Sequence, residues 1–108
     1  MAGPLDLPLP DLPGDLSAVA ATLRSRAAVL DLEGEHVRDG LAAPGWAGEA
    51  ERAWSARARD RLDELERCAA LHRAAAVVLD RHVEDLRRLR ASLLAARELV
   101  ERAVRGVA

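Results

Sequence analysis

The sequence predicts an all-α fold: an antiparallel helical hairpin with a long second helix, which we expect to pair into a four-helix bundle. Three observations predict it. The 108-residue chain contains 23 Ala, 18 Leu and 16 Arg but no Ile, Phe or Tyr, and strands favour the missing residue types whereas Ala, Leu and Arg favour helices. Apolar residues recur at heptad spacing, and one clear internal turn interrupts them. This length corresponds to a single domain.

The first 14 residues predict an extended, proline-rich arm. Four prolines fall within residues 1–14, and each disfavours helical backbone in the residue before it. The segment Pro10-Asp11-Leu12-Pro13 has the P-x-x-P form of a polyproline ligand. The flanking arginine typical of such ligands is missing, so a simple lead-in is the better interpretation. The helical hairpin domain then covers residues 15–108.

The first helix is predicted at about residues 15–42. Asp15 can accept the free amide hydrogens of its first turn, and Gly40 and Pro44 mark its end. Apolar residues follow at alternating steps of four and three, which is a heptad seam. The seam consists of Leu16, Ala20, Leu23, Ala27, Leu30, Gly34, Val37 and Leu41.

The second helix is predicted at about residues 49–105, after a turn at residues 43–48. No Gly or Pro occurs between Gly48 and Gly106, so the helix would be about 85 Å long. A break around residues 66–72 stays open. The apolar stripe of this helix is expected at Ala50, Trp54, Ala58, Leu62, Leu65, Ala69, His72, Ala76, Leu79, Val83, Leu86, Leu89, Leu93, Ala96, Val100 and Val104.

A short connection requires the two helices to lie antiparallel. Pairing outward from the turn places Leu41 opposite Ala50 and Val37 opposite Trp54, so that Gly34 leaves room for the indole. In this register the first helix covers the second helix only as far as about residue 76. No part of the chain's own first helix covers the stripe beyond that point. We expect a partner interface there, formed by Leu79, Val83, Leu86, Leu89, Leu93 and Val100. An alanine-rich hairpin is marginal alone, which favours pairing with a second one.

Charge and hydropathy exclude several classes of protein. The net charge is −2, so a nucleic-acid binder is not expected. No uncharged apolar stretch approaches 18 residues, so membrane insertion is not expected either, and the N-terminus lacks the pattern of a secretory signal peptide. Residues 1–51 carry nine acids and three arginines (−6), and residues 52–108 carry nine acids and thirteen arginines (+4). This asymmetry favours pairing of the two helices.

No catalytic constellation or cofactor motif stands out, and we expect a protein that is not an enzyme. Cys68 and His72 are four residues apart, a spacing that can place two metal ligands side by side. No second ligand pair exists, so packing on or beside the seam is the better interpretation, and an enzyme built on this pair is the least favoured one. Arg87, Arg88 and Arg90 stand beside acids and indicate a solvated or partner-facing patch.

The turn carries the motif Trp46-Ala47-Gly48. Trp46 can cover the open end of the hairpin with its ring, and Gly48 permits a close approach of the backbone. A structural clasp with no outside role accounts for these residues as well as a recognition site does. Two amphipathic helices joined by Trp-x-Gly resemble the WXG family of type VII secretion substrates. The strings at residues 14–23 (G-D-L-S-A-V-A-A-T-L) and 45–54 (G-W-A-G-E-A-E-R-A-W) are similar to the helical N-terminal signal domains of actinobacterial type VII toxins.

This resemblance implies a non-enzymatic hairpin without a cofactor, which forms a homodimer or a heterodimer with another small WXG-type protein. It implies export from the cytoplasm by a secretion ATPase, without a signal peptide. In the family, the Trp-x-Gly turn lies near a C-terminal Y-x-x-x-[D/E] signal of the partner. The counterpart by position here is His82, with Leu86 in place of the acid, so we expect the partner to supply that signal. The long effector region of the toxins is not in this sequence, so we expect a free-standing partner or an escort rather than the toxin. The alternative is a cytosolic coiled-coil adaptor or a chaperone for a secreted toxin.

Overall fold

A computed structural model describes residues 14–43, 45 and 47–107. Two helices account for nearly all of them, α1 (Gly14–Ala42) and α2 (Glu49–Val107), and the described residues contain no strand. The all-α prediction is confirmed, and the two helices pack against each other as predicted. Pairing into a four-helix bundle stays a prediction. Of the predicted arm only Gly14 is among the described residues, and the P-x-x-P segment lies outside them. Trp46 lies outside them as well.

Helix α1 buries the face that its heptad pattern indicates. Ala20, Ala27 and Gly34 are buried at seven-residue intervals. The other five seam residues are half-buried: Leu16, Leu23, Leu30, Val37 and Leu41. The helix begins at Gly14, one residue before the predicted start, so Asp15 lies within the first turn. The positive end of the helix dipole stabilises its carboxylate there.

Helix α2 runs without a break, and its seam differs from the predicted stripe at both ends. Buried and half-buried residues recur at alternating steps of three and four from Ser55 to Arg90. Ser55 is buried there and donates a hydrogen bond to the Glu51 carboxylate over 2.7 Å, which satisfies its hydroxyl. At the far end the seam passes through Arg90, whereas Leu89 is exposed.

The core of the hairpin is a narrow strip of small side chains. The buried apolar residues are Ala20, Ala27, Leu65, Ala69, Ala76 and Val83, and four of these six are alanines. Alanine lets two helices approach closely but contributes little apolar area per residue. The molecule measures 90 × 20 × 14 Å, so most side chains contact solvent and few carry the packing.

The register between the helices differs from the predicted one by about one helical turn. The Trp54 ring packs against Gly40, where an added Cβ would lie 3.3 Å from Cη2, and Gly34 instead faces Leu62. Ala50, predicted to pair with Leu41, is exposed. The physical reason is the fit across the seam: the Trp54 ring occupies the space that Gly40 leaves free, and the Leu62 side chain lies against Gly34.

The displaced register lets α1 cover more of α2 than predicted. Val83 is only 4% exposed, and Leu79 and Leu86 are half-buried. The prediction that cover ends near residue 76 was therefore wrong, and these three residues belong largely to the hairpin's own seam. Leu89, Leu93 and Val100 are exposed among the described residues, at 49%, 40% and 45%.

Two glycines of α1 predict different responses to alanine. At Gly34 an added Cβ would lie 3.4 Å from the flexible tip of Leu62, so Gly34→Ala should raise the free energy of unfolding by about 0.5–1 kcal/mol through helix propensity. At Gly40 the added Cβ meets the rigid Trp54 ring, and Gly40→Ala should give no such gain. Thermal melts check both, and Gly40→Ala should become stabilising in a Trp54→Ala background. Equal gains at both glycines would contradict the observed register.

Candidate functional site

Two residues of the connection between the helices have a backbone conformation that only glycine adopts readily. Gly45 and Gly48 have φ angles of 146° and 111°, in the region that L side chains rarely occupy. Gly48 directly precedes α2, and its carbonyl accepts a hydrogen bond from the Arg52 amide over 3.0 Å. The glycine of the Trp-x-Gly motif therefore has a structural role, because it starts α2 at a defined angle. Trp46, the other half of the motif, lies outside the described residues.

Beyond α1, the seam of α2 continues as a surface that we call the distal stripe. It consists of Arg90, Leu93, Arg97, Val100 and Val104, which follow the same heptad steps as the covered seam. Near the end of the helix, Val100, Ala103, Val104 and Val107 line a shallow apolar groove. The stripe thus offers apolar side chains to a further chain segment.

Further apolar residues are exposed away from the seam on both helices. They are Val19, Val29, Leu32, Leu71, Val77 and Val78. Between the helices, Val29 and Leu30 join Cys68 and His72 in a shallow and almost entirely apolar groove. Single exposed apolar residues are ordinary on a protein surface, whereas contiguous apolar patches mark sites of interaction.

Cys68 and His72 lie one turn apart on α2, and the His72 ring contacts the backbone of Cys68. His72 Nδ1 lies 2.7 Å from the carbonyl oxygen of Cys68, to which the ring N–H donates. His72 is half-buried on the seam, and Cys68 carries an exposed free thiol. Nowhere in the described ranges do three His, Cys, Asp or Glu residues come together as metal ligands.

Ion pairs join the two helices along the flanks of the seam. Arg24 contacts Asp80, Arg38 contacts Glu66, and Arg73 contacts Asp31. The hydrogen bond from Arg73 lowers the pKa of the Asp31 carboxyl, and the same bond raises the pKa of Arg73.

The charges of these pairs are distributed in both ways between the helices: α1 contributes the acid in one pair (Asp31) and the base in two (Arg24 and Arg38). The predicted match of an acidic first helix with a basic second one is therefore only part of the pattern. Since these side chains are about half exposed, the pairs specify register more than they add stability.

His82 and the turn lie far apart within one chain. His82 is exposed, and Leu86, one turn further along α2, is half-buried. From Gly48 to His82 the helix rises about 50 Å. A composite of the turn and the His82 region therefore requires two chains that lie antiparallel, or a partner that contributes one of the two parts.

The arginine cluster near the start of the distal stripe is partly neutralised on its own helix. Arg87 lies 3.9 Å from Glu84, and Arg88 lies 3.8 Å from Glu84 and 3.6 Å from Asp85. Arg90 lies at a heptad position of the seam and is half-buried. The geometry supports the interpretation of Arg87 and Arg88 as a solvated patch.

Comparison with known proteins finds no relative. No protein-family model, curated protein or solved structure matches this chain. In residues 14–43, 45 and 47–107, neither helix is long and apolar enough to cross a membrane. The functional proposal therefore depends on the turn, the exposed apolar surfaces and the resemblance in sequence.

Proposed function

We propose that this chain is a non-enzymatic substrate or partner of type VII secretion that acts by helix-bundle pairing. In this proposal it belongs to the WXG type, forms a homodimer or a heterodimer with another small helical protein, and leaves the cytoplasm through a secretion ATPase without a signal peptide. Trp46 and Gly48 form part of the export mark.

The observation that carries the proposal is the place of the motif in the hairpin. Trp46-Ala47-Gly48 occupies the connection between two long antiparallel helices, and Gly48 has a φ of 111° immediately before α2 begins. The exposed position of Ala47 and Gly48 leaves this end of the molecule open to a partner.

The exposed apolar residues support pairing. Leu71 is 69% exposed, and Val29 and Val78 are exposed as well, although an aqueous surface favours polar residues at such positions. A second hairpin that covered these residues would form a four-helix bundle with the first. An antiparallel arrangement of two hairpins would also bring the His82 region of one chain toward the turn of the other.

The alternative is a cytosolic coiled-coil adaptor or a chaperone for a secreted toxin. It uses the same apolar surfaces for pairing but assigns no export role to the turn. The two functions therefore differ in what Trp46 does, and a substitution there separates them.

Trp46→Ala tests the proposal in the native host. We expect the variant to lose export while the purified protein keeps its helical content and still binds its partner. Ala47→Ser, at the variable position of the motif, is the matched control and should be exported normally. Affinity purification of the unaltered chain should recover a second small helical protein together with a secretion ATPase.

Two results would contradict the proposal. Export of Trp46→Ala at the normal level, with its partner bound, would assign the turn a purely structural role and favour the adaptor. Retention of the unaltered chain inside secreting cells would exclude secretion of this chain directly. Trp54→Ala is a further control, because Trp54 packs on Gly40 and its loss should reduce stability wherever the protein is located.

A further inference from the structure

The last part of α2 extends beyond α1. Gly34 faces Leu62, so Gly14, twenty residues earlier on the antiparallel α1, lies level with about residue 82 of α2. From there to Val107 the helix rises about 37 Å. Along this length α1 covers little or nothing of α2, and the side chains there contact solvent.

Apolar residues of this segment collect on one side of the helix. At about 100° per residue, they fall within a sector about 140° wide that contains no charged residue. We call this sector the terminal face, and it consists of Leu89, Ser92, Leu93, Ala96, Leu99, Val100, Ala103, Val104 and Val107. All of these residues are exposed, and the exposed fraction of the larger ones ranges from 40% at Leu93 to 89% at Val107.

The charged side chains of the same segment lie on the remaining side of the helix. Residues 87–107 contain six arginines and two glutamates, a net charge of +4, whereas residues 1–86 carry a net charge of −6. Arg90 lies near one border of the terminal face and Arg88 near the other. The end of α2 is therefore an amphipathic and basic helix in a chain that is acidic as a whole.

This combination fits the surface of an anionic lipid bilayer. A helix that lies in a membrane interface inserts its apolar side by about 5–10 Å, and anionic headgroups attract the basic residues of its polar side. Arginines at the border extend their aliphatic stems along the apolar side, and their guanidinium groups bind phosphate oxygens. Binding of this kind requires one apolar side and not a helix that crosses the bilayer.

A second copy of the segment fits the terminal face less well. Two copies packed through this face bring two segments of net charge +4 together, which opposes association. The face is also wider than the seam of a two-stranded coiled coil, and Ala96 and Ala103 on it offer little apolar area. An anionic bilayer supplies the opposite charge and requires no matching seam.

We propose that residues 87–107 bind an anionic lipid surface. The terminal face enters the headgroup region of the bilayer, and the arginines of the polar side lie against lipid phosphates. This inference concerns the chain by itself and does not rest on secretion.

Sedimentation with lipid vesicles tests the proposal on the purified full chain. We expect the chain to bind vesicles of phosphatidylglycerol and phosphatidylcholine in equal parts at least about tenfold more tightly than vesicles of phosphatidylcholine alone, because the arginines add electrostatic attraction to the insertion of the apolar side. Added salt should weaken the binding to the anionic vesicles, since it screens these charges.

Two variants with the same added charge separate the terminal face from charge alone. Val100→Glu places a carboxylate in the face, whereas Ala91→Glu places one about 180° away on the same helix. Both residues are exposed and lie beyond α1, so both variants should keep the helical content of the unaltered chain by circular dichroism. We expect Val100→Glu to bind the anionic vesicles at least about tenfold more weakly than Ala91→Glu does.

Several results would overturn the proposal. They are absence of binding to the anionic vesicles, equal binding to both kinds of vesicle, and equal weakening by the two substitutions. Self-association of the unaltered chain that only Val100→Glu abolishes, measured by analytical ultracentrifugation and found without vesicle binding, would assign the terminal face to a second copy and overturn it as well. None of these measurements depends on export, so this proposal and the proposed function fail separately.

Discussion

Replacing Leu65 with alanine is expected to lower the free energy of unfolding by about 2–5 kcal/mol. Leu65 is 3% exposed and is the largest apolar side chain in the buried core, where most other members are alanines. The other buried apolar residues are four alanines and Val83, and side chains this short do little to fill the cavity that the substitution leaves. Since single domains are stable by only about 5–15 kcal/mol, the variant should unfold at a much lower urea concentration, as followed by far-UV circular dichroism.

Leu71→Ala is the matched control for this substitution. Leu71 lies on the same helix but is 69% exposed, so truncating it should change the free energy of unfolding by less than about 0.5 kcal/mol. Measurement at low protein concentration keeps any pairing through Leu71 from contributing. If both variants unfold at the same urea concentration, the seam is not the core of the hairpin.

Ala76→Asp is expected to prevent α1 from packing against α2. Ala76 is completely buried on the seam, and a carboxylate there has neither room nor a partner within the core. An unpaired buried charge costs about 3 kcal/mol or more, which is comparable with the stability of a domain with so small a core. The expected result is loss of the cooperative thermal transition, with an expanded hydrodynamic radius.

Ala75→Asp separates burial from helix propensity. Ala75 is the adjacent residue and is exposed, so its variant carries the same unfavourable change in helix propensity, about 0.5 kcal/mol, without burying a charge. It should keep a cooperative transition close to that of the unaltered chain. A cooperative transition that survives in Ala76→Asp as well would show that residue 76 faces solvent.

The seam of α1 illustrates what periodicity alone can predict. Spacing identifies its eight residues from Leu16 to Leu41, and all of them are buried or half-buried. The prediction from spacing succeeds here because every heptad position of α1 carries an apolar residue or a glycine. On α2 they disagree near residue 90: the apolar stripe leads through Leu89, but the heptad continues to Arg90. Position on a helix is set by backbone geometry whether or not the side chain there is apolar.

The distal stripe could therefore have been found in the sequence. Extending the seven-residue interval from Ala76 and Val83 leads to Arg90 and Arg97 without reference to hydropathy. Two arginines at these heptad positions are a departure from the apolar pattern of the covered seam. A search for apolar residues alone passes over this signal.

The sequence by itself determined that this protein is helical, where its two helices lie and which face of α1 is buried, because helix propensity, turn residues and heptad spacing are local properties. The register between the helices was decided only in the tertiary structure. It depends on the path of the connection through Gly45 and Gly48 and on side chains that must fit across the seam, such as Trp54 against Gly40. A shift of one turn leaves every local pattern unchanged, yet it decides which residues of α2 are covered and which are exposed.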